Sequence, residues 1–167
     1  LAGDAITDAD YNVALGNSAL SANTVGSKNT AIGSSALLVM NPASAADTLN
    51  TAVGYHAGRL VSTGVQNTLI GGLAGDAMQG ANNNVAVGYN AAGAVTIGGQ
   101  NVAVGHGSLA TNTVSDKNTA VGADALATHT LGSGGNGYNT ALGHSAGKAV
   151  TTGVQNTLLG GLAGDAL

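Results

Sequence analysis

Along nearly the whole chain a polar residue, Asn, precedes a three-residue apolar run that closes on Gly. This unit occurs nine times, at Asn12, Asn29, Asn50, Asn67, Asn84, Asn101, Asn118, Asn139 and Asn156. Six of the eight intervals are 17 residues and two are 21. A short fixed period is the pattern of stacked equal coils, each touching only its neighbours, rather than of a globular domain with one pocket.

Counting the Asn as position 0, +1 is Thr or Val and +2 is Ala except at Leu69 and Leu158. Position +3 is always branched and apolar: Leu15, Ile32, Val53, Ile70, Val87, Val104, Val121, Leu142 and Leu159. Position +4 is Gly in every unit, +7 is Ala in all but one (Ser108), and +8 is Leu, Gly or Ala. β-Branched residues on either side of a small one predict a short strand at +1 to +3. Alternation puts +1 and +3 on one face and +2 on the other. Neither face is charged, so both are expected to be covered. The larger side chains, at +1 and +3, are expected inside the coil. Ala and Leu at +2, +7 and +8 are then left as an outward stripe against further copies.

The Gly at +4 ends the strand, where it permits a positive φ or a close backbone approach. A second Gly often falls at +14 (Gly26, Gly64, Gly98, Gly153). Two turns and two short strands per 17 residues predict a flattened parallel coil rising about 4.8 Å per turn, and nine coils a rod of roughly 40 Å. The fold class expected is all-β, a parallel β-roll or β-solenoid of about nine coils. Residues 1–167 form a single array, expected to be part of a longer fibre because the chain opens and closes within a repeat. The nine Asn form a structural ladder along it, their amides bonding to each other and to turn backbone.

A longer repeat is superimposed. TGVQNTL at Thr63–Leu69 returns unchanged at Thr152–Leu158, an offset of 89, and GGLAGDA begins at Gly71 and again at Gly160. The two 21-residue coils are also 89 apart. Their extra residues lie in the stretches 38–49 (LVMNPASAADTL) and 127–138 (ATHTLGSGGNGY), which are expected as loops on one edge of the rod. Being the least repetitive parts, they are where selective binding is expected.

Composition narrows the function classes. Charged residues are 7%, Gly is 28, Cys and Trp are 0, and the net charge is −4 with Lys28, Arg59, Lys117 and Lys148 well separated. Nucleic-acid binding needs clustered cations and aromatic platforms, and neither is present. No run reaches the ~18 apolar residues of a membrane helix, so no membrane insertion of this segment is expected. No secretion signal is visible.

Catalytic and metal readings find little support. His56, His106, His129 and His144 do not share ligand spacing and read as surface turn residues. No Asp is placed to orient His106 or His144 for nucleophilic chemistry. Asp4, Asp8 and Asp10 lack the Gly and closing acid of a calcium loop. GSGGNG (Gly132–Gly137) lacks the Lys and helix of a phosphate loop. The chain is expected to be no enzyme and to need no cofactor.

Strings such as NVALGNSAL, NTAIGSSAL and NTAVGYHAG resemble the head repeats of trimeric autotransporter adhesins and the 17-residue repeats of phage and viral tail fibres. The resemblance covers the chain from Asn12 onward, and the 17-residue unit is nearer the tail-fibre type. It implies a left-handed parallel β-roll, assembled as a parallel homotrimer at a cell or virion surface, extracellular, with a host-surface glycan or protein as a possible target. The composition separately favours self-association, because a thin roll has too little interior for a chain 44% hydrophobic. The number three comes from the resemblance. An ice- or glycan-binding solenoid is the alternative; it requires an outward Thr array at +1, which the phase expected above would bury.

Overall fold

The computed structural model describes residues 1–165, which contain strands and turns and no helix. Nine three-residue strands, Val13–Leu15, Thr30–Ile32, Thr51–Val53, Thr68–Ile70, Val85–Val87, Val102–Val104, Thr119–Val121, Thr140–Leu142 and Thr157–Leu159, pair into one parallel sheet in chain order. Equal positions face each other in register: Thr68 pairs with Val85, Leu69 with Ala86 and Ile70 with Val87. The chain is a β-solenoid of about nine turns.

Hydrogen bonds between coils continue beyond the strands. Gly54 N donates to the Ile32 carbonyl (2.8 Å) and His56 N to that of Ser34 (2.9 Å), whereas Gly58 N donates forward to Ala74 (2.9 Å) and Leu60 N to Asp76 (3.0 Å). Turn backbone buried against a neighbouring coil thus finds partners there. The tight corners need left-handed backbone at −1, +6 and +8, as at Gln66 (φ 59), Leu73 (φ 60) and Leu20 (φ 54). None of the non-glycine residues in that conformation is Val, Ile or Thr, the residues it penalises most. At +4 only Gly fits: Gly71 has φ 129, and a Cβ there would lie 2.6 Å from the Gly88 carbonyl oxygen.

The expected second strand does not occur in every coil. It forms only where a 21-residue coil stacks on the one before it, as Gly26–Ser27 with Ala46–Asp47 and Ser115–Asp116 with Gly135–Asn136. In the shorter coils side chains take over this edge; Val65 N, for example, donates to Asn82 Oδ1 (2.8 Å).

The expected strand phase is inverted. Ala14, Ala31, Ala52, Leu69, Ala86, Ala103, Ala120, Ala141 and Leu158, at +2, point into the roll, and seven of them are fully buried. Position +3 faces outward: Leu15 is 64% exposed, Ile70 40% and Leu159 73%. The Ala/Leu residues at +2, +7 and +8 are therefore the core, not an outward stripe. The reason is volume. Leu20, Leu37, Leu109 and Leu126 at +8 already fill the interior together with a column at +11, so only a small +2 residue fits beside them. Where +2 is Leu, +8 is Gly both in that coil and in the one before it. A Cβ on Gly58 would come within 2.6 Å of Leu69 Cδ1, and one on Gly147 within 2.6 Å of Leu158 Cδ1.

Candidate functional site

The asparagine positions build an internal ladder. From Asn29 to Asn156, each backbone N–H donates to Oδ1 of the Asn one coil earlier, at 2.8–3.2 Å. Each Nδ2 in the shorter interior coils also crosses the roll to a carbonyl 14 residues on: Asn50 to Gly64 (2.8 Å), Asn67 to Ala81 (2.7 Å), Asn84 to Gly98 (3.0 Å) and Asn101 to Ser115 (2.9 Å). In the 21-residue coils the inserted residues displace that carbonyl. Asn29 and Asn118 turn Nδ2 to Ser27 O (3.3 Å) and Asp116 O (3.1 Å) instead. Asn29 to Asn139 are buried with their amides satisfied, so the ladder fixes register and closes each coil across its width. That is a structural role.

The surface that remains open is the outer face of the nine-stranded sheet. It carries two straight columns, Thr or Val at +1 and Leu, Ile or Val at +3, over a length of roughly 40 Å. Neither column contains a charged residue. Thr30, Thr51, Thr68, Thr119, Thr140 and Thr157 all stand on it, at positions half-buried to exposed. Every strand is three residues long and in register with the next, so each column runs unbroken from coil to coil.

The corner after the strand carries a group of aromatic and ionisable side chains. Tyr55 stacks on His56 with ring centroids 3.8 Å apart, and Tyr89 on His106 at 5.7 Å. Asp124 pairs with Lys148 at 2.9 Å and lies 3.8 Å from His106 Nδ1. The Lys148 hydrogen bond holds the Asp124 carboxyl below its usual range. Burial pushes Asp76 up, which Arg59 at 3.9 Å offsets in part. His106 and His144 are exposed and His56 is half-buried. Among the described residues no three His, Cys, Asp or Glu side chains converge as metal ligands. Asp4, Asp8 and Asp10 are all exposed.

Two shallow clefts stand out among the described residues. One, of about 340 Å³, is lined by Val150, Thr151, Thr152, Gly153 and Asn156 and carries no titratable group. The other, of about 270 Å³, has Asp116 as its one titratable lining residue. Neither holds a nucleophile beside a base.

The stretches 38–49 and 127–138 are only partly loops. Met40, Thr48, His129 and Gly137 are buried within the coil, and the exposed parts are centred on 43–47 and 132–136. Lys28 reaches across to Asp47 at 2.6 Å, which raises its pKa, and Lys117 sits 5.3 Å from the Tyr138 ring centroid. His129, expected on the surface, is fully buried. The signal that places it inside is the +11 column, Ile6, Asn23, Met40, Val61, Met78, Val95, Asn112, His129 and Val150, which is apolar or buried throughout. The chain matches no protein-family model, no curated protein and no solved structure.

Proposed function

We propose that this chain is a stiff segment of an extracellular fibre or adhesin at a cell or virion surface, and that copies associate in parallel through the outer face of the nine-stranded sheet. The supporting observation is that face: two unbroken uncharged columns, with Leu15 and Leu159 more than half exposed, on a chain whose ionic side chains all lie elsewhere. Monomers seldom leave so long an apolar strip in water. In a parallel assembly equal coils meet, so every Val or Ile at +3 packs against its own counterpart. A homotrimer is the assembly the resemblance implies. Repetition supplies length and avidity, and the exposed parts of 38–49 and 127–138 supply whatever selectivity the segment has. The proposal assigns the chain no reaction and no cofactor.

Because the chain has no Cys, single substitutions test the face cleanly. Val87→Cys is expected to cross-link copies on mild oxidation, whereas Ser44→Cys, on an exposed loop, is not. Equal cross-linking of both, or of neither, contradicts the proposed interface.

A second reading is favoured by one observation. The Thr residues at +1 do face outward, which is the condition for an ice- or glycan-binding array. The two readings compete for one surface. Inhibition of ice growth by a monomeric chain, abolished by Thr68→Leu with Thr119→Leu, would select the second.

A further inference from the structure

Met40 and His129 occupy equivalent places, 89 residues apart, in the two 21-residue coils. Both are fully buried in the +11 column. Each presents an acceptor atom to the next Asn of the ladder: Met40 Sδ lies 3.8 Å from Asn50 Nδ2, and His129 Nε2 lies 3.5 Å from Asn139 Nδ2. Asn139 cannot turn its amide around. Its Nδ2 donates to Gly153 O (2.8 Å) and Asn118 Oδ1 (3.1 Å), and its Oδ1 accepts from Asn156 N (3.0 Å) and Asn156 Nδ2 (3.1 Å). The atom facing His129 Nε2 is therefore an amide nitrogen whose two protons are already directed at Gly153 O and Asn118 Oδ1, so a proton on Nε2 would point at a donor and the neutral ring is accommodated with its proton on the other nitrogen. The ring proton then resides on Nδ1, which has no hydrogen-bond partner among the described residues.

We propose that His129 is an acid-sensitive latch, whose protonation sets N–H against N–H at Asn139 and loosens the 127–138 segment, while the 38–49 segment, closed by Met40, is indifferent to pH. No charged side chain faces the ring. The interior column places Asn112 below His129 and Val150 above it, and Leu126 takes its backbone N–H (3.1 Å). The titratable side chains of the same three coils are outside the roll: His106 and Asp124 with Lys148 at the corner, Asp116, Lys117 and Tyr138 along the insert edge, and exposed His144. Burial lowers the His129 pKa below 6.5, and the Thr151 backbone offsets only part of that. A base whose folded pKa is depressed gives stability that is complete above its unfolded pKa, near 6.5, and that falls as pH drops below it. The local opening constant then grows about tenfold per pH unit until the folded pKa is reached.

Hydrogen exchange on the full chain between pH 7.5 and 5 tests this, with each amide's rate divided by the intrinsic rate of its own sequence at that pH so that equivalent positions in the two coils can be compared. Relative to Asn41, Asn50 and Val61, protection at Thr130, Asn139 and Val150 is expected to be unchanged above about pH 6.5 and to fall by up to about tenfold per pH unit below it. His129→Met, which copies Met40, is expected to remove the difference. Equal behaviour of the two segments in the unmodified protein, or an undiminished response in the variant, overturns the proposal. Should the variant not fold, titration of the His129 ring by NMR in the unmodified protein decides. A midpoint below 6.5 is expected, and one at or above it overturns the proposal.

Discussion

Asn67 Oδ1 accepts both the backbone N–H of Asn84 (3.0 Å) and its side-chain Nδ2 (3.1 Å), one coil further along the rod. One amide thus joins two coils, while its own Nδ2 ties the opposite wall at Ala81 (2.7 Å). Asn67→Ala leaves the Asn84 N–H and the Ala81 carbonyl buried and unpaired. At about 1–3 kcal/mol for each of these two groups, a loss of roughly 2–6 kcal/mol is expected. Urea unfolding measures it, with Asn12→Ala, where the ladder is only partly buried, expected to cost less.

Glycine is required at +4 but not at Gly132 in the insert. Gly88 has φ 133, and a Cβ there would lie 2.7 Å from the Gly105 carbonyl, whereas a Cβ on Gly132 would meet nothing within 4 Å. Gly88→Ala is expected to cost about 3 kcal/mol or more, and Gly132→Ala to stay within about 0.5 kcal/mol of the parent. Thermal unfolding of the two variants makes the comparison.

Adjacent residues of one strand separate folding from assembly. Ala120 is fully buried and Val121 faces outward. Ala120→Asp places an unpaired carboxylate in the interior and is expected to unfold the chain or cost several kcal/mol. Val121→Asp is expected to keep the circular dichroism of the parent while weakening association. The opposite pattern would restore the phase in which +3 is internal.

The Asp124–Lys148 pair makes a small, pH-dependent contribution. Asp124 has a depressed pKa, so its contribution is present above the unfolded value of 3.8 and is lost as pH falls below it. The pair is largely exposed, and about 0.5 kcal/mol is expected at neutral pH. Stability curves of the parent and Lys148→Met should differ by that amount near pH 7 and converge near pH 2.

The period was readable because Asn at 0 and Gly at +4 are each demanded by backbone geometry in every coil. The coil count, the strand positions and the offset between the two long coils follow from those two residues alone. The phase was not readable. A Thr-Ala-Val strand has no charged side to mark solvent, so alternation alone cannot say which face is inside. The deciding constraint is cross-coil volume, the exchange of Leu69 against Gly58 and Gly75, and it links residues that a strand-by-strand reading treats separately. His129 escaped for a related reason. The stretch around it looks like an insert, and its place in the +11 column, level with Met40 of the other long coil, shows that the coil's inner wall continues through it.

The claim that the outer sheet face is an interface is tested most directly by sedimentation equilibrium of the chain in neutral buffer across micromolar concentrations. The account predicts a folded species of three times the chain mass, reduced towards a folded monomer by Val104→Asp with Val121→Asp. A parent chain that stays monomeric and fully folded over that range, with its nine-coil sheet face open to water, would contradict it.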